Sequence, residues 1–244
     1  QNGAIVVEEG VVTARGDWDV IAKLLPPYAK IVDHGDALIA PGFIDAHVHF
    51  PQVDVIASHG EQLLQWLHAY TFPAEQEFAD PAHAAAMAEI FLDELLRNGT
   101  TTALVFASVH ATAAAALFAA AHERNMRLIA GKVMMDRHAP PALCDTPEAS
   151  YRESAQLISA WHGRGRLGYA ITPRFAHTSS PEQLRAAGRL LQEHSGVLLQ
   201  THLSENEHEL GIVAADYPEA SDYLDVYERH GLVGARSVFA HALH

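Results

Sequence analysis

Two hydrophobic patterns divide the chain. Residues 4–8, 11–14 and 30–33 are short β-rich runs punctuated by Gly10, Gly16 and Gly35, with Pro26-Pro27 between them. Such pieces predict small antiparallel strands, part of a β-sandwich or cap formed by residues 1–40. From Pro41 the texture changes to strand followed by helix, repeated. Apolar β-rich runs lie at 43–47, 101–107, 127–134, 167–172, 197–201 and 237–240. Between them, residues 81–98, 112–125, 147–162 and 181–194 carry good helix formers. The first of these ends at Asn98-Gly99, a stop signal, and two begin with Pro after Thr or Ser. Six strands alternating with helices predict a parallel sheet with right-handed crossovers over 41–244.

An open doubly wound sheet and a closed (β/α)8 barrel both satisfy this alternation. In either, ligands sit at the C-terminal ends of the strands. Here those ends read His47-Val48-His49, Thr172-Pro173-Arg174-Phe175, His202-Leu203-Ser204-Glu205 and His241. Polar, metal-capable residues therefore recur at one edge of the sheet.

Composition narrows the partners. The 244 residues are 49% hydrophobic and 19% charged, an ordinary globular balance that can bury a large core. Sixteen Lys plus Arg against 30 Asp plus Glu, a net charge of −14, argue against nucleic-acid backbones and anionic membranes. Cys144 is the single cysteine, which excludes an internal disulfide and a thiolate zinc cluster and suits a reducing cytoplasm. No basic-then-apolar leader is visible, and the alanine-rich run at 113–121 is too short to span a membrane. Histidine is the outlier, with 17 copies.

Alternate residues of a strand share a face, so His47 and His49 project together and form half of a site for a borderline metal such as zinc. His202, from another strand end, would supply a third imidazole. Glu205, three residues on, would then be placed to work on water, or would simply favour the N-terminus of the following helix. His241 could ligate or steady developing charge. His34, His59, His68, His83, His110, His122, His138, His162, His177, His194, His208 and His230 have no comparable placement and read as ordinary. The lysines are Lys23, Lys30 and Lys132, and none ends the fourth strand, where a carboxylated bridging lysine would stand. One metal is therefore expected, not two.

Taken together, Pro-Gly-Phe-Ile-Asp-Ala-His-Val-His (41–49), His-Leu-Ser-Glu-Asn (202–206) and Ala-His (240–241) resemble the amidohydrolase superfamily. Within it, Gln52, Tyr-Thr-Phe-Pro-Ala-Glu (70–75), Asn-Gly-Thr-Thr-Thr (98–102), Gly-Lys-Val-Met-Met-Asp (131–136) and Thr-Pro-Arg-Phe (172–175) resemble the guanine deaminases. The resemblance implies a (β/α)8 TIM-type barrel, incomplete here at about six βα units, with part of a small N-terminal β-sandwich. It implies hydrolytic deamination of guanine to xanthine by a zinc-activated hydroxide, with one Zn2+ per subunit on His47, His49 and His202. Glu205 would shuttle protons and His241 would orient the activated water. Gln52, Arg174 and Phe175 would recognise the purine, with Trp66 and Leu67 in the pocket wall. A homodimer is implied as well.

The family's remaining zinc ligand, an Asp at the end of the eighth strand, has no counterpart before residue 244, so a truncated barrel is expected. Two other readings stay open. A sister amidohydrolase acting on another amino- or chloro-substituted heterocycle would keep the histidines but differ at Gln52 and Arg174. A non-catalytic scaffold on the same barrel would lack bound metal.

Overall fold

The computed structural model describes residues 2–60 and 62–244. These fall into two compact units, Gln1–Pro41 and Gly42–His244. In the first, β1 (Gly3–Glu8) and β2 (Val11–Asp17) pair antiparallel around the turn at Glu9-Gly10, and a single helical turn, α1 (Trp18–Ile21), follows. The strand expected at 30–33 is absent: that segment is irregular. Its short apolar run finds no ladder partner among the described residues, and a strand without one leaves its backbone groups to solvent. The N-terminal sheet is accordingly a two-stranded pair.

The second unit alternates as the pattern predicts. Its strands are β3 (Phe43–His49), β4 (Thr100–Phe106), β5 (Arg127–Gly131), β6 (Val133–Met134), β7 (Leu167–Pro173), β8 (Leu198–Leu203) and β9 (Ser237–His241). The long crossovers are α4 (Pro81–Arg97), α5 (Ala111–Glu123), α6 (Pro147–Trp161) and α7 (Pro181–Glu193). All seven strands are parallel, in the order β3-β4-β5-β7-β8-β9, with β6 paired to β7. The architecture is an incomplete TIM-type barrel. Its two edge strands bend toward each other at their C-terminal ends, where the rings of His47 on β3 and His241 on β9 lie 5.1 Å apart.

Local chemistry explains the helix starts. Asp80, Thr146 and Ser180 each accept a backbone N–H with their side chain, and each is followed by Pro at the first helical position. Several shorter helices escape the sequence pattern: α2 (Leu63–Trp66), a π turn (Leu67–Thr71) and α3 (Phe72–Glu77) after β3, and α8 (Glu207–Asp216) and α9 (Tyr223–Arg229) after β8. They belong to the loops at the C-terminal edge of the sheet. No helix among the described residues is long and apolar enough to cross a membrane.

The core lies between sheet and helices. Every residue of β7 is buried, and Leu128, Tyr169, Ile171 and Leu199 pack under Leu92, Leu117, Phe118, Leu184 and Leu190. Each such side chain contributes about 1.5–3 kcal/mol on burial. Small residues set the closest approaches. The predicted third strand breaks at Lys132 into β5 and β6, and at the break Gly131 presses on its neighbour. A Cβ there would stand 1.7 Å from the Ala170 carbonyl oxygen. Gly131→Ala should therefore cost at least about 1–3 kcal/mol in a urea melt. Gly211→Ala, on α8 with open space around it, should instead hold or gain up to about 1 kcal/mol. Equal midpoints for the two variants would contradict the packing described here.

Candidate active site

A cavity of about 350 Å³ opens at the C-terminal edge of the sheet. Among its lining residues are His47, His49, Gln52, Trp66, Leu67, Arg174, Phe175, His202, Glu205 and His241. The structure thus brings every residue singled out from the sequence to one place. Lys132 is not among them. It is fully buried, and its Nζ is held by Asp145 and lies 3.6 Å from Glu153.

Four imidazoles form the floor. His47 lies 5.1, 4.9 and 5.1 Å, ring to ring, from His49, His202 and His241. Donor atoms of His47, His202 and His241 converge within 4.8 Å of one another. His49 joins through His202, with the two Nε2 atoms 3.0 Å apart. The Nδ1 of His202 lies 2.6 Å from the Arg174 carbonyl oxygen, which can only accept. That nitrogen therefore carries the proton, and Nε2 keeps a lone pair facing the cluster. A carbonyl fixing the far nitrogen in this way is the usual outer support of a histidine metal ligand.

Electrostatics agree with a metal-type donor set. Burial, with repulsion from His241 next, lowers the pKa of His47 to about 4. His49 and His202 are held well below the usual histidine range, again by burial first. All three are therefore neutral at pH 7, the form that ligates. His49 Nδ1 is buried without a hydrogen-bond partner, whereas Nε2 is the nitrogen that faces His202 and the cluster. Borderline zinc suits this nitrogen-rich set.

Glu205 stands at the rim, its Oε2 3.4 Å from His241 Nε2. Burial, reinforced by Glu209, raises its pKa to about 7. A carboxyl poised there can both take and return a proton near neutrality. The residue before it, Ser204, has φ +50°, and His241 has φ +73°. Both are unusual for side-chain-bearing residues and turn the chain sharply at the ends of β8 and β9.

Three contributors were not legible beforehand. Glu75, on α3, accepts two hydrogen bonds from Arg174 Nη1 at 2.8 and 2.7 Å, and both side chains are about 2–3% exposed. Arg174 thus makes a buried ion pair while also lining the cavity, and its guanidinium lies 5.5 Å from the Phe72 ring centroid. Glu75 stood inside the 70–75 motif, but nothing local tied it to a residue 99 positions away. Glu209 accepts from the backbone N–H groups of Glu205 and Asn206 and so fixes the turn that carries Glu205. Its position three residues after Asn206 is a capping-box spacing that could have flagged it. Phe106, at the end of β4, stacks 4.7 Å from His49 and tilts 4.5 Å from His202, walling off the imidazoles from below.

The comparisons fit this geometry. The chain matches the Amidohydrolase family over residues 38–244. It is 49% identical to the guanine deaminase of Escherichia coli K12 over 244 residues, all of this chain and 56% of that protein. The solved structure of E. coli guanine deaminase superposes with a TM-score of 0.96, covering 99% of this chain and 56% of the other. A guanine deaminase from C. acetobutylicum, crystallised with guanine bound in its active site, superposes at 0.90 with 29% identity, covering 98% of this chain and 57% of that one. The chain spans just over half the length of these relatives.

The Arg174–Glu75 pair generates a prediction. Removing one partner of a buried pair strands the other charge, at a cost of about 3–5 kcal/mol. In the full-length protein, Glu75→Gln should lower the denaturant midpoint by that measure. An unchanged midpoint would show that Arg174 finds another partner or reaches water.

Proposed function

The chain belongs to the amidohydrolase family, and we propose that the protein deaminates guanine hydrolytically, giving xanthine and ammonia. The single observation that carries this reading is the convergence of four imidazoles, Glu205, Gln52 and Arg174 on one cavity. Its similarity to guanine deaminases along its full length supports the substrate. One zinc ion per subunit would be held by His47, His49 and His202. It would lower the pKa of a bound water from 15.7 to about 7, so that hydroxide is available at neutral pH.

The chain's own residues do the rest. Glu205 takes one proton of the water as carboxylate and delivers it to a ring nitrogen, which makes the adjacent carbon more electrophilic. The second proton, released by the added oxygen as its carbonyl forms, then passes through Glu205 to the amine, whose bond to the ring carbon breaks so that ammonia leaves. His241, 3.4 Å from Glu205, orients the attacking oxygen. A positioned acid–base group of this kind is worth about 10²–10⁴-fold.

Recognition falls to Gln52, Arg174 and Phe175, with Trp66 and Leu67 in the wall. Guanine carries a carbonyl where adenine carries an amine. Arg174 can only donate, so it suits the carbonyl, which accepts, and opposes the amine. Because Glu75 occupies Nη1, the remaining guanidinium donors are the ones available to substrate. Adenine should be turned over about 10⁴–10⁵-fold less efficiently. A homodimeric assembly and a cytoplasmic setting complete the reading, the second in keeping with a lone cysteine.

The decisive assay is guanine turnover by the full-length protein, followed by ultraviolet absorbance with and without a chelator. Conversion to xanthine that stops on chelation is expected. Guanine left intact by a protein that retains metal would sink the substrate assignment. Glu205→Gln should abolish turnover while metal content is unchanged, and an active variant would remove Glu205 from the mechanism.

A further inference from the structure

Beyond the cavity, three segments at the same edge of the barrel meet in a second constellation. His138 lies in the loop after β6, His177 in the single 3-10 turn Ala176–Thr178 after β7, and Asp216 at the last position of α8. His138 Nδ1 is 3.1 Å from His177 Nδ1 and 3.6 Å from Asp216 Oδ2, and His177 Nδ1 is 3.1 Å from the same oxygen. The two rings stack at 4.3 Å.

Without an ion, hydrogen bonds hold the group together. The Asp216 carboxylate only accepts, so His177 Nδ1 facing it must carry a proton. His138 Nδ1 also lies 2.9 Å from the His177 carbonyl oxygen, so it must carry one too. The two nitrogens then lie side by side at 3.1 Å with each proton directed at its own acceptor, His138 at the His177 carbonyl and His177 at Asp216. A cation would replace both protons and take the lone pairs of the two nitrogens together with Asp216 Oδ2. The spacing is right for it. Ligand distances of about 2.0–2.1 Å at a tetrahedral angle put donor atoms about 3.3 Å apart, and the three separations here are 3.1, 3.1 and 3.6 Å.

We propose that His138 Nδ1, His177 Nδ1 and Asp216 Oδ2 form a second site for a divalent transition metal of the zinc type, separate from the imidazole floor of the cavity. Two imidazoles and one carboxylate are a zinc-type set with room for a fourth ligand, and the half-exposed His138 leaves that position open to water. Burial holds His177 below the usual histidine range, although Asp216 pulls it the other way, so its neutral form is available. Arg137 is the opposing charge. Its Nη2 lies 3.6 Å from Asp216 Oδ2 and donates to the Ala176 carbonyl, while its guanidinium sits 5.1 Å from the Tyr217 ring centroid. It steadies Asp216 when no ion is bound and weakens binding when one is. An ion here would fasten together the β6 loop, the turn that follows Phe175 and the end of the helix that follows Glu205.

The test counts metal by difference. Full-length wild type, His138→Asn and Asp216→Asn are loaded with excess zinc, freed of loose ion by gel filtration, and analysed for zinc per chain. Asn at 138 tolerates the φ of +53° found there, and Asp216→Asn keeps the side-chain shape. Each variant should hold one zinc fewer than wild type. Added zinc should raise the melting temperature of wild type alone once the cavity ion is in place. Equal zinc content in all three proteins would overturn the proposal. Any ion in the cavity cancels in the comparison, so the result is independent of whether guanine is the substrate.

Discussion

The buried pair between Arg174 and Glu75 is the contact on which the rest of the site depends. Arg174 follows β7, and its backbone alone joins three strands. Its N–H donates to the Met134 carbonyl of β6, and its carbonyl accepts from the His202 backbone N–H and ring Nδ1 and from Thr201 Oγ1 on β8. Its side chain reaches across to α3. An arginine cannot lose its charge to escape burial, so a guanidinium this enclosed requires an acid beside it. Glu75 is that acid. Meeting the requirement anchors the helical excursion after β3, which also carries Trp66 and Leu67, against the strand ends.

The same residue shapes the electrostatics of the floor. Burial is the main reason His47, His49 and His202 stay neutral, and the Arg174 charge adds to it in each case. Glu205 feels the opposite balance. Burial and Glu209 raise its pKa while Arg174 lowers it. One buried cation thus pushes the imidazoles toward the ligating form and keeps the neighbouring acid within reach of neutrality. The two effects have one source because all five groups face one cavity.

What could be read from the sequence follows from the range of the interaction involved. Strand alternation, the Pro-started helices and the strand-end histidines are local patterns, so the barrel and the cavity-lining residues were legible. The chain's break at Lys132 was not, because it reflects that side chain turning inward to Asp145. The run at 30–33 had strand composition, yet a strand needs a partner and composition cannot supply one. Glu75, Phe106 and the grouping of His138, His177 and Asp216 depend on residues 39 to 99 positions apart meeting after folding. In a chain with 17 histidines, nothing local separates His138 from His122.

The strand ends also carry the backbone strain. Ser204, His241 and Ala242 all have positive φ, and each sits where β8 or β9 gives way to loop. Such residues cost about 1–3 kcal/mol each and persist only where surrounding structure over-determines them. Here the over-determination is visible. The Ala242 N–H donates to the Leu203 carbonyl and the Leu243 N–H to the Ser204 carbonyl, while Glu209 clamps the backbone just past Ser204. The turns deliver Glu205 and His241 to within 3.4 Å of each other at the rim, next to imidazoles that the strands themselves position. Rigid β-structure places the ligating groups and strained, hydrogen-bonded turns place the acid. That division suits the hydrolysis proposed above, in which the imidazoles would have to hold still while Glu205 moves protons beside them.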